Sequence, residues 1–402
     1  MSRRLSTASA RAGHFVRQPA GYTAFIPAPL PPDPPVAFDP PLVALLSRAD
    51  QALGRLDGLA HTLPDSDIFV AMYVRREAVL SSQIEGTQSS LNDVLVYEVD
   101  PKGRALPRDV EEVVNYVHAM NYGLERLETL PLSLRLIREI HQRLLADVRG
   151  SDRQPGEFRT SQNWIGGRSP SEAVFVPPPP SEMTVALDNF ERLLHEGHGL
   201  PVLVHAGLAH AQFETIHPFL DGNGRVGRLL ITFLLCRQSV LQQPLLYLSY
   251  FLKRHRAEYY DRLMAIRTDG DWEGWIRFFL RGVAETADEA VQTASMIVGL
   301  QRQERELLQR ERQGINAFRL LDLLFHRAVV NTRVVSEALG VTFMTAGRLI
   351  ERFQQLEILE EATNAQRNRL YRHSPYLALF PEVTPFVVED VPVQSSGPAE
   401  GH

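Results

Sequence analysis

Twelve residues, from His217 to Arg228, constrain this chain more than any other part of it. They read His-Pro-Phe-Leu-Asp-Gly-Asn-Gly-Arg-Val-Gly-Arg and lie between two apolar stretches with helical spacing. Glycine and asparagine tolerate backbone angles that most residues avoid. We therefore expect a tight turn at Gly222, Asn223 and Gly224, followed at once by a helix.

The expected turn has the properties of an anion site. Successive amides of such a turn can point into one concavity, and the free amides and dipole of the following helix add to the attraction. Arg225 and Arg228 are three residues apart and share a helix face, which suits a polyphosphate. Asp221 offers the hard oxygen that Mg²⁺ prefers. His217, with an ordinary pKa near ~6.5, can accept a proton at neutral pH. Together these residues indicate phosphates held beside a general base.

The same residues match the motif of the Fic family, His-x-Phe-x-Asp/Glu-Gly-Asn-Gly-Arg-x-x-Arg, at every specified position. The resemblance implies an adenylyltransferase that moves AMP from ATP to a hydroxyl of a target protein. It implies that His217 is the general base, that Asp221 holds Mg²⁺ and that Phe219 packs inward. The ATP-binding residues predicted on this basis are Gly222, Asn223, Gly224, Arg225, Val226, Gly227 and Arg228.

A second segment, Ser81-x-x-x-Glu85-Gly86, resembles the inhibitory motif that accompanies many Fic proteins. It lies upstream of the active loop, as in the subclass with an N-terminal inhibitory helix. In that subclass the glutamate pairs with the second arginine of the loop, here Arg228. A carboxylate on that guanidinium occupies a γ-phosphate position and repels a negative ligand. The resemblance thus implies autoinhibition by Glu85, with Ser81 in the same motif.

Two further features extend the resemblance. Two short apolar runs around a Gly/Ser/Pro turn, from Trp164 to Val176, predict a β-hairpin in an otherwise helical region. They look like the family's flap, which pairs with the backbone of the target by strand addition. Tyr259 and Tyr260 resemble the wall of the adenine pocket, although a tyrosine pair on a helix is more often part of a core.

The predicted fold class is mainly α: a Fic-type helical bundle with a β-hairpin flap, followed by a small winged helix-turn-helix domain. Clustered prolines near the N-terminus favour an extended, polyproline-like strap or tail. The predicted parts are a proline-rich N-terminal arm (1–40), an N-terminal helical region with the inhibitory helix (41–125), a catalytic core (126–287) with its flap (163–178), a connecting helix (288–312), a winged-helix domain (313–380) and a loose tail (381–402).

Bulk properties exclude several classes of protein. The chain has 402 residues, of which 44% are hydrophobic and 22% charged, as in ordinary globular proteins. A net charge of -6 argues against a chain-wide footprint for nucleic acid. Cys236 is the single cysteine, which excludes an intrachain disulfide and a cysteine-based zinc site. We see no apolar run of transmembrane length and no secretory signal, so we expect no membrane contact and a cytoplasmic location.

Two alternatives stay open. Within the enzyme class, the same site could remove AMP, with Glu85 orienting a water, or transfer another phosphate-linked group. Outside it, the C-terminal domain could bind DNA as a regulator, or dock a protein. The basic residues that would grip DNA phosphates are Arg348, Arg352, Arg367, Arg369 and Arg372. Self-AMPylation, a homodimer and the identity of the protein substrate also stay open.

Overall fold

The protein is mainly helical and carries two small antiparallel sheets. The structure, a computed structural model, describes residues 10–62, 66–101, 106–197, 199–363 and 368–380. Within those ranges no helix is long and apolar enough to cross a membrane.

The helices in chain order are α1 (Pro40–Thr62), α2 (Ser66–Ile84), α3 (Leu91–Val99), α4 (Val110–Leu127), α5 (Leu134–Leu144), α6 (Pro180–Glu196), α7 (Val202–Ile216), α8 (Asn223–Arg237), α9 (Ser249–Arg254), α10 (Arg256–Asp269), α11 (Trp272–Arg310), α12 (Ile315–His326), α13 (Thr332–Leu339), α14 (Phe343–Gln355) and α15 (Ser374–Leu377). The strands are β1 (Gly13–Arg17), β2 (Thr23–Pro27), β3 (Val329–Val330), β4 (Glu360–Glu361) and β5 (Tyr371–Arg372).

Helices α7 and α8 lie at the centre of the bundle. Every residue of α7 from Leu203 to Ile216 is buried, and so is every residue of α8 from Arg225 to Leu235. Helices enclosed on all sides need apolar residues around their whole circumference, as both sequences provide. Gly123 lets α4 approach this centre, because a Cβ there would lie 2.4 Å from the Phe233 ring. The loop that begins at His217 joins two rigid, buried elements.

Helix α11 is one continuous element of 39 residues. Its first half packs in the core beside α1, where Arg55 pairs with Asp288 at 2.7 Å. No proline interrupts residues 272–310. The connecting helix predicted to begin at residue 288 is therefore the second half of a core helix, so the core and the C-terminal part share one rigid element.

Residues 10–39 of the predicted N-terminal arm pack onto the core as a strap, and residues 1–9 lie outside the described residues. Strands β1 and β2 pair antiparallel, with the Phe15 and Phe25 rings 4.9 Å apart. Arg11 fixes the strap through an ion pair with Glu273 at 2.9 Å and through the carbonyls of Pro34 and Pro35. Residues 28–39 contain no helix or strand, as the proline cluster predicts. The hairpin before them was not predicted, because the prolines dominated the local pattern.

A small C-terminal unit, residues 315–380, follows α11. Its elements run α12, β3, α13, α14, β4 and β5, the order of a winged helix-turn-helix, and Gly340 makes the turn between α13 and α14 with φ +67°. Phe380 at its end packs on Tyr73 of α2, with ring centroids 5.5 Å apart. The predicted tail, residues 381–402, lies outside the described residues.

The arginines proposed to grip DNA are largely matched by carboxylates. Arg367 lies outside the described residues. Phe343 and Met344, at the start of α14, are exposed apolar side chains. These glutamates neutralise much of the positive charge that binding to a phosphate backbone requires, which disfavours DNA binding. DNA binding by this unit stays an untested prediction. The ion pairs are Arg352 with Glu311 at 2.6 Å, Arg369 with Glu361 at 3.6 Å and Arg372 with Glu360 at 2.9 Å.

Candidate functional site

The loop between α7 and α8 is shaped by two left-handed residues. His217 ends α7 with φ 50° and ψ 61°, and Gly222 precedes α8 with φ 78° and ψ 3°. The first hydrogen bond of α8 runs from the Val226 amide to the Gly222 carbonyl at 3.1 Å. The amides at the start of a helix have no partner within it. Asn223 and Gly224 therefore present backbone N–H groups and the positive end of the helix dipole, as an anion site requires.

Asn223 closes the loop on itself. Its side-chain oxygen accepts from the Phe219 amide, and its side-chain nitrogen donates to the Phe219 carbonyl, both at 2.8 Å. These two bonds and its burial fix the Asn223 side chain in the loop, with its backbone amide at the start of α8. Phe219 points inward with no exposed surface, as the resemblance implied.

The side chain of His141, on α5, packs against the loop and bonds to it. Its ring stacks on Phe219 with centroids 3.7 Å apart and planes 7° from parallel. Nδ1 accepts from the Gly156 amide at 2.8 Å, so Nε2 carries the proton and donates to the Asp221 carbonyl at 3.0 Å. Burial lowers the pKa of His141 to about 4. A neutral imidazole with two satisfied nitrogens thus fixes both ends of the Phe219–Asp221 segment.

Arg159 and Asn163 hold the loop from the other side. Arg159 is buried, and it donates to the carbonyls of His217 at 3.0 Å and Pro178 at 2.6 Å. Asn163 donates to the carbonyls of His217 and Phe219 at 3.2 and 2.8 Å. These bonds satisfy carbonyls at the end of α7 that have no helical partner. The backbone of His217 is therefore fixed by the residues from which the flap begins.

The His217 imidazole lies in an environment that keeps it neutral. Burial lowers its pKa to about 3, assisted by the cations Arg267 and Arg159, while Glu85 acts in the opposite direction. A histidine with this pKa is unprotonated throughout the physiological range, the state required of a proton acceptor.

Arg228 is held by Ser81 of α2 and by Glu85, the residue that directly follows α2. Its Nη2 lies 2.6 Å from Glu85 Oε1 and donates to the Ser81 carbonyl at 3.0 Å, and its Nε donates to Ser81 Oγ at 2.7 Å. The Arg228 side chain is 2% exposed and that of Glu85 is 32% exposed. Burial alone would raise the pKa of Glu85, but the attraction of Arg228 outweighs it and the pKa is lowered. The pair is thus ionised, and α2 is joined to α8 across 143 residues of sequence.

Arg225 points away from Arg228 and meets different partners. Its guanidinium lies 3.2 Å from Glu112 of α4 and 3.6 Å from Asp221. Glu112 also pairs with Arg149 at 3.3 Å. The two loop arginines therefore do not form one exposed face. Arg225 has 1% of its side chain exposed and ties the loop to α4.

Asp221 is the carboxylate best placed for a cation. Its side chain is 38% exposed, and Oδ1 accepts from the Gly222 amide at 2.6 Å. Among the described residues no group of three or more His, Cys, Asp or Glu could hold a metal ion. Asp221 therefore fits Mg²⁺ only as the lone protein ligand of an ion held mainly by phosphate oxygens and water, the usual arrangement for nucleotide-bound Mg²⁺.

The remaining predicted residues lie beside this centre. Val226 and Gly227 are buried in the first turns of α8. Tyr259 is 1% exposed, and its hydroxyl bonds Nε2 of His210, whose Nδ1 meets the Gly227 carbonyl. Tyr260 is 38% exposed. The structure thus places Tyr259 in an aromatic core behind α8 and leaves Tyr260 as the member of the pair that a ligand can reach.

The flap is joined by one β-bridge, between Ile165 and Phe175. Trp164 and Val174 are 40% and 68% exposed, so the flap presents apolar side chains to the outside. The Phe25 amide of β2 donates to the Val176 carbonyl at 2.9 Å. The N-terminal hairpin therefore extends the flap at one edge.

The fold and this loop together define the class of protein. The pattern of the Fic/DOC family N-terminal region matches residues 43–125, and that of the Fic/DOC family matches residues 131–235. These two regions of the chain thus carry the Fic/DOC family pattern. A Fic family protein from Desulfovibrio desulfuricans G20 has a similar crystal structure, with a TM-score of 0.53 at 21% identity, covering 84% of this chain and 97% of that one. The predicted Fic-type helical fold is confirmed.

Individual relatives match over a smaller share of the chain. The protein adenylyltransferase Fic of Drosophila virilis is 30% identical over 237 residues, which are 58% of this chain and 45% of that protein. The protein of the same name from Aedes aegypti is 36% identical over 160 residues, 39% of this chain and 29% of that protein. The chain thus spans less than half the length of these relatives.

Three residues that shape the site were missed in the sequence: His141, Arg159 and Asn163. Each acts on backbone groups of the loop from a distant part of the chain, so no local spacing marks it. Buried histidine or arginine in an apolar stretch is the one available signal, and His141 follows the apolar positions Leu136, Ile137 and Ile140 of α5.

Proposed function

We propose that this protein is an adenylyltransferase that moves AMP from ATP to a hydroxyl group of a protein, and that Glu85 holds it in an inhibited state. The observation that carries the proposal is the loop of residues 217–228, where free helix amides, a buried arginine and a neutral histidine meet. The relatives named protein adenylyltransferase Fic support the same activity.

The chemistry requires positioning, charge neutralisation and one proton acceptor. The target hydroxyl oxygen forms a bond to the α-phosphorus of ATP, and the bond from that phosphorus to the β-phosphate oxygen breaks. Pyrophosphate leaves with the electron pair, and the hydroxyl proton passes to the neutral His217. The amides of Asn223 and Gly224 bind phosphate oxygens, and Arg228 binds the outer phosphate once it is free of Glu85.

Mg²⁺ would be held by Asp221 together with phosphate oxygens. When bound, the ion neutralises charge on the departing pyrophosphate. Asp221 is suited to this because Oδ1 is already oriented by the Gly222 amide and because its side chain is partly exposed.

Inhibition follows from the contacts of Arg228. In the structure its guanidinium has Glu85 and Ser81 as partners, so a γ-phosphate must displace a carboxylate at 2.6 Å to reach it. The same carboxylate carries a negative charge beside the Asn223 and Gly224 amides that would bind phosphate oxygens. Both effects disfavour ATP in the pose that aligns its α-phosphorus with His217.

The test is mass spectrometry of the Glu85→Gly protein and of lysate proteins after incubation with ATP. We expect a mass increase of one AMP on Ser, Thr or Tyr side chains, absent when His217→Ala is added. No adduct on any protein would overturn the proposal. Incubating an already modified target with and without Glu85 separates the alternative: loss of AMP that requires Glu85 would assign AMP removal.

A further inference from the structure

Arg267 of α10 is a buried cation without a buried counter-charge in contact. It is 4% exposed, and among the described residues no carboxylate oxygen lies within 4.0 Å of its guanidinium. Burying a guanidinium is costly unless its donors are satisfied. The protein tolerates this cost at a position close to His217, the proposed general base. The contacts of Arg267 indicate its role there.

One set of contacts fixes the last turn of α7. Arg267 Nε donates to Thr215 Oγ1, and Nη2 donates to the Glu214 carbonyl, both at 3.2 Å. Thr215 in turn donates to the Ala211 carbonyl at 2.8 Å. These bonds hold the two residues that come just before Ile216 and His217, and they satisfy a carbonyl at the end of the helix.

The other face of the guanidinium meets the flap. Its Cζ lies 3.8 Å from the centroid of the Phe175 ring, at the one bridge of the flap. A planar guanidinium can stack on an aromatic ring and donate hydrogen bonds in its own plane at the same time, which an ammonium cannot do. Phe175 is in addition covered by Phe25 of β2, with ring centroids 6.0 Å apart.

We propose that Arg267 is a positioning residue that couples the flap to the catalytic histidine, stacking on Phe175 with one face while its edge orients the end of α7. The coupling rests on the proposed function, since it concerns how a target held by the flap meets His217. A target segment that pairs with the flap therefore affects, through Phe175, the position of Arg267, which orients His217.

The groups that face His217 come from several elements. Arg267 lies on α10, Arg159 lies before the flap, and Glu85 directly follows α2; the first two oppose protonation of the ring and the third favours it. Removing the charge of Arg267 will therefore make His217 easier to protonate. Changing its shape while keeping the charge will leave the titration unchanged and disturb only the geometry.

Three variants separate these effects: Arg267→Met, Arg267→Lys and Phe175→Leu, with Arg262→Met as the matched control. Arg262 lies on the same helix, and its side chain is 39% exposed and paired with Glu258 and Asp271. In the Glu85→Gly background we expect the three variants to lower kcat for self-modification by roughly 10- to 100-fold, with KM for ATP changed by less than about twofold. The control should leave both unchanged.

Two readouts do not depend on activity. Hydrogen exchange at the Ile165 and Phe175 amides, which donate to each other's carbonyls across the flap bridge, should accelerate roughly tenfold in the three variants and not in the control. The NMR titration of His217 should move to higher pH in Arg267→Met only. If flap exchange and kcat stay at control values, the proposal is wrong. If Glu85→Gly transfers no AMP, the proposed function fails while exchange and titration still decide the role of Arg267.

Discussion

Glu85 and Gly224 share one small volume at the start of α8: a Cβ built on Gly224 would lie 2.1 Å from Glu85 Oε1. The carboxylate thus rests against the helix end that offers free amides to an anion. Glu85 therefore does more than bind Arg228, because its carboxylate also covers the backbone amides proposed to bind phosphate. Removing Glu85 frees Arg228 and these amides at the same time.

Glu85→Gly should raise AMP transfer. Loss of the carboxylate frees Arg228 for the γ-phosphate, and a coupling free energy of about 1–3 kcal/mol would raise the affinity for ATP in the productive pose by roughly 5- to 150-fold. Incorporation of labelled ATP into the protein itself measures the effect. Glu98→Gly is the matched control, because it removes another ion-paired glutamate of the same region, the partner of Arg75 at 2.8 Å. Equal labelling in all three proteins would contradict the inhibitory role.

His217→Ala, placed in the Glu85→Gly background, should abolish transfer and leave ATP affinity within about twofold. The imidazole is neutral, with its pKa lowered to about 3 by burial and by Arg267 and Arg159, so it contributes a proton acceptor and little attraction for phosphate. Titration calorimetry with ATP checks the affinity. A large loss of binding would mean that His217 holds the nucleotide instead.

Arg159→Met should destabilise the fold by about 2–4 kcal/mol, because the Pro178 carbonyl loses the Arg159 donor and the His217 carbonyl keeps only the bond from Asn163 among those described. The shift in the urea unfolding midpoint measures this loss. Arg153→Met is the control, since Arg153 is half exposed and pairs with the exposed Asp152 at 3.5 Å. A midpoint equal to that of the control would show that the loop supports itself.

Glu214 makes stability depend on pH. Burial raises its pKa to about 7, against the attraction of Arg228, whereas the unfolded value is near the ordinary 4.5. Between these values the native state binds more protons at Glu214 than the unfolded state does, so the contribution of Glu214 to stability falls as pH rises from about 5 to 8. Glu77, whose pKa burial also raises to about 7, contributes in the same direction.

Glu214→Gln should therefore flatten that dependence, with a gain of about 1–3 kcal/mol over the native protein at pH 8 and little change at pH 5. Urea unfolding at the two pH values provides the comparison. The idea fails if the variant and the native protein lose stability in parallel as the pH rises.

The C-terminal unit should give no salt-dependent gel shift with genomic DNA fragments. Arg352 and Arg372 are paired with Glu311 and Glu360, and the exposed start of α14 carries apolar Phe343. Binding that weakens steeply between 50 and 200 mM salt, as phosphate contacts require, would reverse this expectation.

The sequence predicts those features of the site that depend on neighbouring residues. It does not predict contacts made by residues that are distant in the chain. The loop's turn and its helix start follow from adjacent residues, whereas the inward position of Phe219 was implied by the family resemblance. The contact between Glu85 and Arg228 was accessible only through family resemblance, because no periodicity links residues 143 positions apart. Arg225 was misjudged as a partner of Arg228 on one face. Helical spacing places the two Cα atoms together, but Glu112 draws the Arg225 side chain elsewhere.

Other differences have equally specific causes. The proline cluster concealed the β1–β2 hairpin, since alternation over five residues is a weak signal beside six prolines within nine positions. The continuity of α11 was missed because its composition becomes polar after residue 288 although nothing in the backbone interrupts the helix.

Helix α2 carries Tyr73 against Phe380 of the C-terminal unit, and Glu85, directly after the last residue of α2, pairs with Arg228. This segment thus contacts both the C-terminal unit and the loop of residues 217–228. Thermodynamic reciprocity then applies: a ligand of the C-terminal unit that shifts α2 changes nucleotide affinity by the same factor by which nucleotide changes the affinity of that ligand. Occupancy of either site would then depend on the concentration of the ligand at the other site, with α2 as the physical link.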